Sequence, residues 1–503
     1  MKRAAYWRNK YFSVGLIILF MLFISACTPD NGETLLNPPP PSGTAPTITS
    51  ANNTKFTVGT VGTFTVTATV TPTPTVAITG TLPSGVTFDI TTGVLSGIPA
   101  AGSIGTYPLT ITASNGVFPN ASQNLTLTVQ AASKSWGTAA LIETNDSGVA
   151  IEPQVTFDAF GNAVAVWMQY DDVSGRYNIW SNRYTASTGL WGTAVAISNN
   201  VGSAQSPQVA VDANGNAIAV WHQDDGHTNI YTNRYTASTG LWGIAALLET
   251  NDAGYAYYPQ VAIDAYGNAI VVWYQNVGYP YNIWSNRYTA STNSWSGAAK
   301  IETNTAGNAL NPQIAIDANG NVVAVWQQYD DVASRYDIWS NRYTASTGIW
   351  STASPIETDN AGWATQPQVV FDTSGNAVAV WMQSDGSRYN IWSNRYIAST
   401  GLWGMAVLLE TDNTGDANNP QIAVDAHGNA VAVWMQSDGS RYNIWSNRYI
   451  ASTGLWGTAV LLETDNTGDA NEPQVAIDTN GNAVAVWLQS DGQRTTIWSN
   501  MYR

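Results

Sequence analysis

The sequence predicts an all-β protein with two folded parts: a small β-sandwich and, after it, seven four-stranded sheets. No window carries an apolar period of 3.6 residues, so helices are not expected. Residues 46–130 alternate with period two and are rich in Thr and Val, as half-buried strands are. Residues 131–503 repeat one Trp-marked unit seven times, which predicts a repeat architecture.

The composition excludes several functional classes. Charged residues make up 11% of the 503 residues and aromatic residues another 11%, unlike a disordered or coiled-coil chain. A net charge of −16 would repel a polyanion, so no nucleic-acid partner is expected. One Cys and three His exclude an intramolecular disulfide and a Cys-based zinc site, and they disfavour a His-cluster metal enzyme.

Residues 1–27 are predicted to be an export signal. A basic start is followed by the apolar run from Val14 to Ile24, which is too short to span a bilayer. The ending Ile24-Ser-Ala-Cys27 resembles the signal of bacterial lipoproteins, and Cys27 is the only Cys of the chain. The resemblance implies lipidation at Cys27 and attachment to the bacterial cell envelope. Because Thr28, and not an Asp, follows the Cys, the resemblance to Gram-negative lipoproteins favours the outer membrane. An ordinary cleaved signal and an uncleaved anchor remain alternatives.

Residues 28–45 are predicted to be a Pro-rich linker that spaces the folded parts from the membrane. In residues 46–130, Leu82-Pro-Ser-Gly-Val-Thr-Phe-Asp89 and Thr92-Gly-Val-Leu-Ser-Gly-Ile-Pro99 resemble the bacterial putative-Ig domains, which are cadherin-like. The resemblance implies an Ig-like sandwich and, as a minor alternative, calcium binding. Asp89 is the only acid of this segment, so a spacer module is the favoured interpretation.

Each repeat of residues 131–503 contains four strand-like segments separated by turns. Repeat six shows them as Trp403–Glu410, Pro420–Asp425, Ala430–Gln436 and Asn443–Ile450. Four antiparallel strands in about 50 residues are typical of a propeller blade, so seven repeats predict a seven-bladed β-propeller. The repeats begin at Trp136, Trp191, Trp242, Trp295, Trp350, Trp403 and Trp456.

The unit of strand, Asp turn and strand resembles the inner half of NHL-type blades, which implies that the Pro-Gln strand is innermost. The Trp-Gly strand is then outermost, and the N-terminal strand Trp136–Glu143 is expected to complete the last blade and close the ring. The turns of pattern Asp-x-x-Gly-Asn loosely resemble the Asp-boxes of sialidase-type propellers. We expect their Asp to cap the turn, the Trp series to form core, and the repeated Arg to join blades by hydrogen bonds.

The loops at one end of the propeller are the predicted ligand-binding face. Acidic and amide groups with Tyr suit sugar hydroxyls, a cation or a basic partner, whereas a merely solvated acidic face is the alternative. Repeats two to four differ most in these loops, so an asymmetric site is expected there. The candidate residues are Asp171, Asp225, His227, Tyr279, Asp330, Asp385, Arg388, Tyr389, Asp438, Arg441, Tyr442 and Asp491.

No firm metal site is predicted, but calcium is kept open at Asp412, Asp416, Asp465 and Asp469. The polar residues repeat almost uniformly, whereas catalysis requires one asymmetric constellation, so no catalytic residue and no cofactor are assigned. The nearby pair His222 and His227 is interpreted as loop drift.

The sequence therefore predicts a monomeric, surface-anchored lipoprotein that binds a carbohydrate or a protein without catalysis, for example in adhesion. A glycan-active, sialidase-like hydrolase and an envelope assembly scaffold are the alternatives.

Overall fold

The structure is a computed structural model that describes residues 43–100, 102–130, 141–142, 148–249, 254–304, 307–358, 362–410, 414–463, 468–478, 481–490 and 495–502. Every regular element in these ranges is a β-strand, so the predicted all-β class is confirmed. The chain divides into two compact units, Met1–Ala139 and Ala140–Arg503. Within the described residues there is no helix long and apolar enough to cross a membrane.

The first unit is a β-sandwich of short strands. One sheet has the order β2-β9-β8-β5, with β2 parallel to β9, and it faces a sheet of order β3-β7-β6 across a core that includes Phe56, Leu95 and Ile111. The strands are β1 (Thr47–Ile48), β2 (Asn53–Thr57), β3 (Gly62–Thr65), β4 (Ala68–Thr69), β5 (Thr75–Thr79), β6 (Val86–Asp89), β7 (Val94–Gly97), β8 (Gly105–Ser114) and β9 (Ala121–Gln130).

The second unit contains seven consecutive antiparallel sheets, one for each sequence repeat. The first strand of each sheet carries the Pro-Gln pair and is called the inner strand. The inner strands are β10 (Ala150–Phe157), β15 (Ser203–Val211), β20 (Ala256–Ile263), β25 (Ala309–Ile316), β30 (Ala364–Phe371), β35 (Ala417–Val424) and β40 (Ala470–Ile477). They contact one another in series from β10 to β40, which confirms that the Pro-Gln strand is innermost.

The second and third strands of each sheet follow the inner strand as a hairpin. The second strands are β11 (Ala163–Asp171), β16 (Ala217–Asp224), β21 (Ala269–Asn276), β26 (Val322–Asp330), β31 (Ala377–Ser384), β36 (Ala430–Ser437) and β41 (Ala483–Ser490). The third strands are β12 (Arg176–Thr185), β17 (Thr228–Thr236), β22 (Tyr281–Thr289), β27 (Arg335–Thr344), β32 (Tyr389–Ile397), β37 (Tyr442–Ile450) and β42 (Thr495–Tyr502).

In the first six blades, the outer strand is shorter than the sequence suggests. It forms two pieces on either side of a short irregular stretch that begins after the Trp, and both pieces pair with the third strand. The pairs are β13 (Leu190–Trp191) and β14 (Val195–Ala196), β18 (Leu241–Trp242) and β19 (Ala246–Leu247), β23 (Ser294–Trp295) and β24 (Ala299–Lys300), β28 (Ile349–Trp350) and β29 (Ser354–Pro355), β33 (Leu402–Trp403) and β34 (Val407–Leu408), and β38 (Leu455–Trp456) and β39 (Val460–Leu461).

The predicted closing strand, Trp136–Glu143, lies outside the described residues except for Leu141 and Ile142. In the other blades an Asn of the third strand donates to a carbonyl in the outer strand of the preceding blade, as Asn233 does to Ile197 at 2.9 Å. Asn182 of the first blade donates in the same way to the Ile142 carbonyl at 2.7 Å. Ile142 thus makes the contact that a preceding outer strand makes elsewhere, and closure of the ring stays a prediction that this contact supports.

The Trp of each second strand packs between blades, as predicted. Trp221, Trp273, Trp326, Trp381 and Trp434 are fully buried, and each indole N–H donates to the Gln two residues later, as in Trp221 to Gln223 at 2.9 Å. The small Ala and branched Val on either side of each Trp fill the space between neighbouring sheets. This series is therefore core.

The Asp turns join the inner and second strands and have the predicted structural role. In the first blade Asp158 Oδ1 accepts from the backbone N–H groups of Phe160 and Asn162, each at 2.9 Å, while Oδ2 accepts from the Asn162 amide at 2.8 Å. All of these bonds lie within one turn, so the Asp caps its own backbone.

The repeated Arg of the third strands joins neighbouring blades. Arg183 bonds Asp158 of its own blade at 3.1 Å and lies 4.9 Å from the centroid of the Tyr235 ring in the next blade. The same placement of Arg over the next Tyr recurs at Arg234, Arg287, Arg342, Arg395 and Arg448. This confirms the expected contacts between blades and adds a cation–π component that the sequence did not indicate.

Candidate functional site

A β-bulge interrupts every inner strand at the residue before its Pro. The pairing with the second strand skips two residues there, as between Tyr257 and Gln260 in the third blade. Proline has no N–H for the ladder, and the residue before it takes a positive φ between 50° and 54°. We call these seven residues the bulge ring: Glu152, Ser206, Tyr258, Asn311, Gln366, Asn419 and Glu472.

The positive φ makes the bulge ring unusual. Non-glycine residues seldom occupy this region, and such strain costs of order 1–3 kcal/mol each and clusters at functional sites. The strain is the same in all seven blades, but the side chain is different in most of them: carboxylate, hydroxyl, phenol or amide. A constant backbone therefore presents a varied set of polar groups.

Hydrogen bonds connect the bulge ring from one blade to the next. The Ser206 N–H donates to the Glu152 carboxylate at 3.1 Å, and the Asn419 N–H donates to the Gln366 side-chain carbonyl at 3.0 Å. Because the bulge releases this N–H from the ladder, the side chain of the preceding blade can accept it. These contacts place the ring side chains along one wall.

The bulge ring lines a central cavity of about 370 Å³. Tyr258, Asn311, Gln366, Asn419 and Glu472 contribute to it, together with Pro and Gln residues of the same inner strands. None of the described lining residues is a Lys or an Arg. Hydrogen-bonding amides, one carboxylate and one phenol in a single concavity are typical of a binding site for a polar ligand.

An aromatic cluster lies beside the cavity, between the second and third blades. Tyr258 of the bulge ring stacks on Tyr274 with ring centroids 5.8 Å apart, and Tyr274 meets Tyr281 edge to face at 5.3 Å. His222 contacts Tyr257 and Tyr258 at 5.5 and 5.6 Å. We call these residues, with Tyr255 and His227, the tyrosine cluster. It lies in repeats two and three, within the region where an asymmetric site is expected.

His222 is the buried group of the tyrosine cluster. Its side chain is 6% exposed, and among the described residues its Nδ1 has no hydrogen-bond partner. Burial lowers the pKa of His222 from 6.5 to about 4, so the ring is neutral at pH 7. Burial also raises the pKa of Tyr274, with smaller contributions from the neighbouring tyrosines. The interpretation of His222 as loop drift overlooked this packing.

His227 and Tyr279, both predicted ligand residues, are exposed at the same end of the propeller as the tyrosine cluster. His227 stacks on Tyr255 at 5.7 Å. The Tyr279 hydroxyl donates to Asp331 of the next blade at 3.3 Å. Asp225 accepts from the Tyr231 hydroxyl at 2.5 Å and from the Asn229 amide at 3.1 Å, so its carboxylate is engaged within its own blade.

Most of the predicted rim acids cap their own loops. Asp385 accepts from the Ser387 N–H and hydroxyl, both at 2.8 Å, and from the Arg388 N–H at 2.9 Å. Asp438 makes the equivalent bonds to Ser440 and Arg441 in the next blade. These bonds hold the pKa of both carboxyls well below the usual range, mainly through the backbone N–H groups of Ser387 and Ser440.

The remaining predicted rim residues lie in the same loops. Asp171 accepts from the Ser174 hydroxyl at 2.8 Å and from the Val173 N–H at 2.9 Å, and these bonds lower the pKa of its carboxyl. Asp330 accepts from the N–H groups of Ala333 and Val332 at 2.9 and 2.8 Å, with the same effect on its pKa. Arg388, Tyr389, Arg441 and Tyr442 are half-buried, and Asp491 lies outside the described residues. Described acids outnumber bases in these loops: Asp171, Asp172, Asp224, Asp225, Asp330, Asp331, Asp385 and Asp438 against Arg176, Arg335, Arg388 and Arg441.

The structure describes two of the four calcium candidates. Asp416 Oδ1 accepts from the Tyr389 N–H at 2.9 Å, and Asp469 Oδ1 accepts from the Tyr442 N–H at 3.0 Å. These bonds join the connection before an inner strand to the loop of the preceding blade, so both sets of loops share one face, as predicted. Asp412 and Asp465 lie outside the described residues. Elsewhere in the described chain no three acids or His residues form a metal-binding group.

Comparison with known proteins identifies the first folded part. Residues 42–130 match the family model described as Putative Ig domain, which confirms the resemblance found at residues 46–130. No curated protein matches the chain.

Several solved structures resemble the chain at low identity. A polysaccharide lyase described as a PL25 ulvan lyase is 9% identical, covers 71% of this chain and 92% of its own, and has a TM-score of 0.47. An α-L-arabinanase of Penicillium chrysogenum is 13% identical over 61% of this chain and 94% of its own, with a TM-score of 0.39. The NanB sialidase of Streptococcus pneumoniae is 9% identical over 78% and 82%, with a TM-score of 0.39. The site described above rests on this chain's own residues.

Proposed function

We propose that the propeller binds a carbohydrate in its central cavity without converting it. The observation that carries this proposal is the bulge ring, where one strained backbone position recurs in all seven blades and, in the third to seventh blades, presents different polar side chains to one cavity. A position with a purely structural role would carry the same residue in every blade, as the first position of the Asp turns does.

The chemistry of the cavity suits a sugar. Side-chain amides of Asn311, Gln366 and Asn419 can both donate to and accept from hydroxyl groups, so they match a polyhydroxylated ligand. Tyr258 presents a phenol beside these amides, and an aromatic face can pack on the apolar face of a pyranose. A protein partner and an assembly scaffold stay alternatives, because the same face is acidic and wide.

A lipid anchor at Cys27 and a place in the cell envelope complete the proposal. Both depend on residues outside the described ranges, namely the signal-like segment 1–27 and the linker 28–45. The four basic residues of that segment leave 15 Lys+Arg against 35 Asp+Glu in the rest of the chain. Incorporation of labelled palmitate that is lost in a Cys27→Ser variant is the result that supports the anchor, and unchanged labelling is the result that contradicts it.

A glycan-active enzyme is the second candidate, and the tyrosine cluster favours it. The uniform repeats offered no asymmetric constellation, but this cluster supplies one, with a neutral His222 and tyrosines of raised pKa beside the cavity. The burial of His222 leaves it little contact with a ligand, so binding without turnover is preferred. Release of new reducing ends or unsaturated products from a bound glycan would establish the enzyme.

The proposal predicts that one substitution in the bulge ring removes binding. Tyr258→Asn introduces the residue that Asn311 and Asn419 already place at this position, so the fold should accept it. We expect binding to a sugar found by glycan-array screening to weaken at least about tenfold, because an aromatic stacking contact is lost. Isothermal titration of the full chain in detergent provides the measurement.

The matched control is Tyr266→Asn, in the same blade. Tyr266 is exposed in the Asp turn, at the opposite end of strand β20, and Asn214 and Asn319 occupy the equivalent position in the neighbouring blades. This variant should bind as the parent does. Equal loss in both variants, or no loss in either, would contradict a site at the bulge ring.

A further inference from the structure

The charges of the central cavity have one sign. Glu472 lines the cavity with an exposed side chain, and Glu152 belongs to the same bulge ring. Asn311, Gln366 and Asn419 between them are neutral, and no lining residue among those described is basic. A ligand with its own carboxylate or sulfate would meet only repulsion here.

The loops between the second and third strands form the rim of the cavity. Their charges add to its negative potential instead of neutralising it. Acids outnumber bases two to one in the described rim loops, and Arg335 is already paired with Asp337 at 2.7 Å. Arg176 donates to the carbonyls of Asn200 and Val201. The capping bonds of Asp385 and Asp438 keep those carboxylates ionised even in mildly acidic solution, so the negative potential at the mouth persists.

The cavity has two unlike sides. Tyr258, in the third blade, gives it an aromatic wall backed by Tyr274, whereas Glu472, in the seventh, gives it a carboxylate four blades further along the ring. Both residues line the same cavity, so one bound sugar unit or its neighbour can contact both. Asn311, Gln366 and Asn419 lie between them and can bind hydroxyl groups.

Building on the proposed glycan binding, we propose that the ligand is an oligomer of an amino sugar with free ammonium groups, and that Glu472 pairs with one ammonium while Tyr258 packs on a pyranose face. Neutral sugars can pack on the phenol and form hydrogen bonds with the amides, but they offer no cation to Glu472. Acidic sugars are excluded by charge. A basic peptide satisfies the carboxylate, and its backbone can bond the amides, but it has no pyranose face to pack on Tyr258.

The test uses two hexasaccharides with the same sugar backbone, the glucosamine hexamer with its free ammonium groups and its fully N-acetylated, uncharged form. Calorimetric titration of the full chain in detergent, at low salt and with chelator present, should show at least about tenfold tighter binding of the glucosamine hexamer. Raising the salt should reduce this preference, since screening weakens the ion pair. A glucuronate oligomer of similar length should not bind.

Two substitutions at neighbouring ring positions separate charge from shape. Glu472→Gln keeps the size of the side chain and should abolish the preference while leaving binding of the N-acetylated hexamer unchanged. Asn419→Asp adds a carboxylate and should strengthen binding of the glucosamine hexamer. Unchanged preference in both variants would overturn the role of Glu472.

The failure of this inference can be told apart from failure of glycan binding. Equal or tighter binding of the N-acetylated hexamer would overturn the amino-sugar assignment and leave a glycan site in place. Binding of hexalysine as tight as that of the glucosamine hexamer would show that charge suffices, and would also overturn it. Absence of binding to every sugar tested would overturn both proposals together.

Discussion

The residue before each inner-strand Pro combines a fixed backbone with a variable side chain. Its φ of 50° to 54° recurs in every blade, but the residue type changes between blades, for example from Glu152 to Tyr258. The sequence could not reveal this site, because variation at one position of a repeat resembles drift, and a positive φ at a non-glycine residue has no sequence signal. The observable hint was a variable polar residue beside an invariant Pro-Gln pair.

His222 is the second residue whose environment the sequence could not reveal. In the equivalent position other blades carry Met168, Met382 and Met435, so a His there looked incidental. Only the packing of the tyrosine cluster shows that its ring is buried and that its pKa is lowered to about 4. The consequence is that protonation of His222 opposes folding.

Replacing His222 should change how stability depends on pH. Below its unfolded pKa of 6.5 the unfolded chain takes up a proton that the folded chain refuses until about pH 4, so stability is lost as the pH falls through this window. Between about pH 7 and pH 4.5 the parent should lose about 2 kcal/mol more than His222→Met. Urea unfolding followed by Trp fluorescence reports on the propeller, since residues 46–130 contain no Trp. Equal losses would contradict the assigned burial.

At the scale of the element, a blade is joined to the next by its third strand. The Arg side chain of that strand covers the Tyr ring of the following blade, and Arg183 and Arg395 also bond the Asp turn of their own blade. The repeated sequence pattern predicted the turns, the buried Trp and these Arg contacts, because each recurs with the same residue at the same spacing. It did not predict the break in the outer strand, where an irregular stretch follows the Trp.

The contacts of Arg395 should make it more sensitive than its counterpart Arg287. Arg395 bonds Asp372 at 2.8 Å, donates to the Tyr449 hydroxyl and lies 4.8 Å from that ring. Lys keeps the charge but cannot form this fork, so Arg395→Lys should lower the free energy of unfolding by about 1–2 kcal/mol. Chemical unfolding measures it.

Arg287→Lys is the control for that comparison. Arg287 donates to the Thr289 hydroxyl and lies 5.8 Å from the Tyr343 ring, so a smaller loss is expected. If both variants lose the same stability, the bond to Asp372 is not the source of the effect.

At the scale of the whole molecule, the inner strands of the seven sheets lie side by side in chain order, and those of the third to seventh blades line the cavity. Ile142 packs with Ala165, Trp167 and Ala194 of the first blade, and its carbonyl accepts from Asn182. The sequence predicted this closing role from the phase of the repeats, because the repeat starts with an outer strand and ends after a third strand.

Removing the closing segment should expose the last blade. A chain that lacks residues 131–142 loses the Asn182 bond and the Ile142 packing, so amides of β42 should exchange hydrogen faster. A chain that lacks residues 46–130 is the control and should leave that exchange unchanged. Protected β42 amides in the first variant would show that another segment completes the seventh blade.

The measurement that tests the central claim most directly is a crystal structure of the protein with the tightest-binding oligosaccharide. We expect sugar density in the central cavity, with one ring packed on Tyr258 and hydroxyl groups within hydrogen-bond distance of the amides of Asn311, Gln366 or Asn419. Density confined to the outer strands or to the Asp turns, with the cavity free of sugar, would contradict a binding site built on the bulge ring.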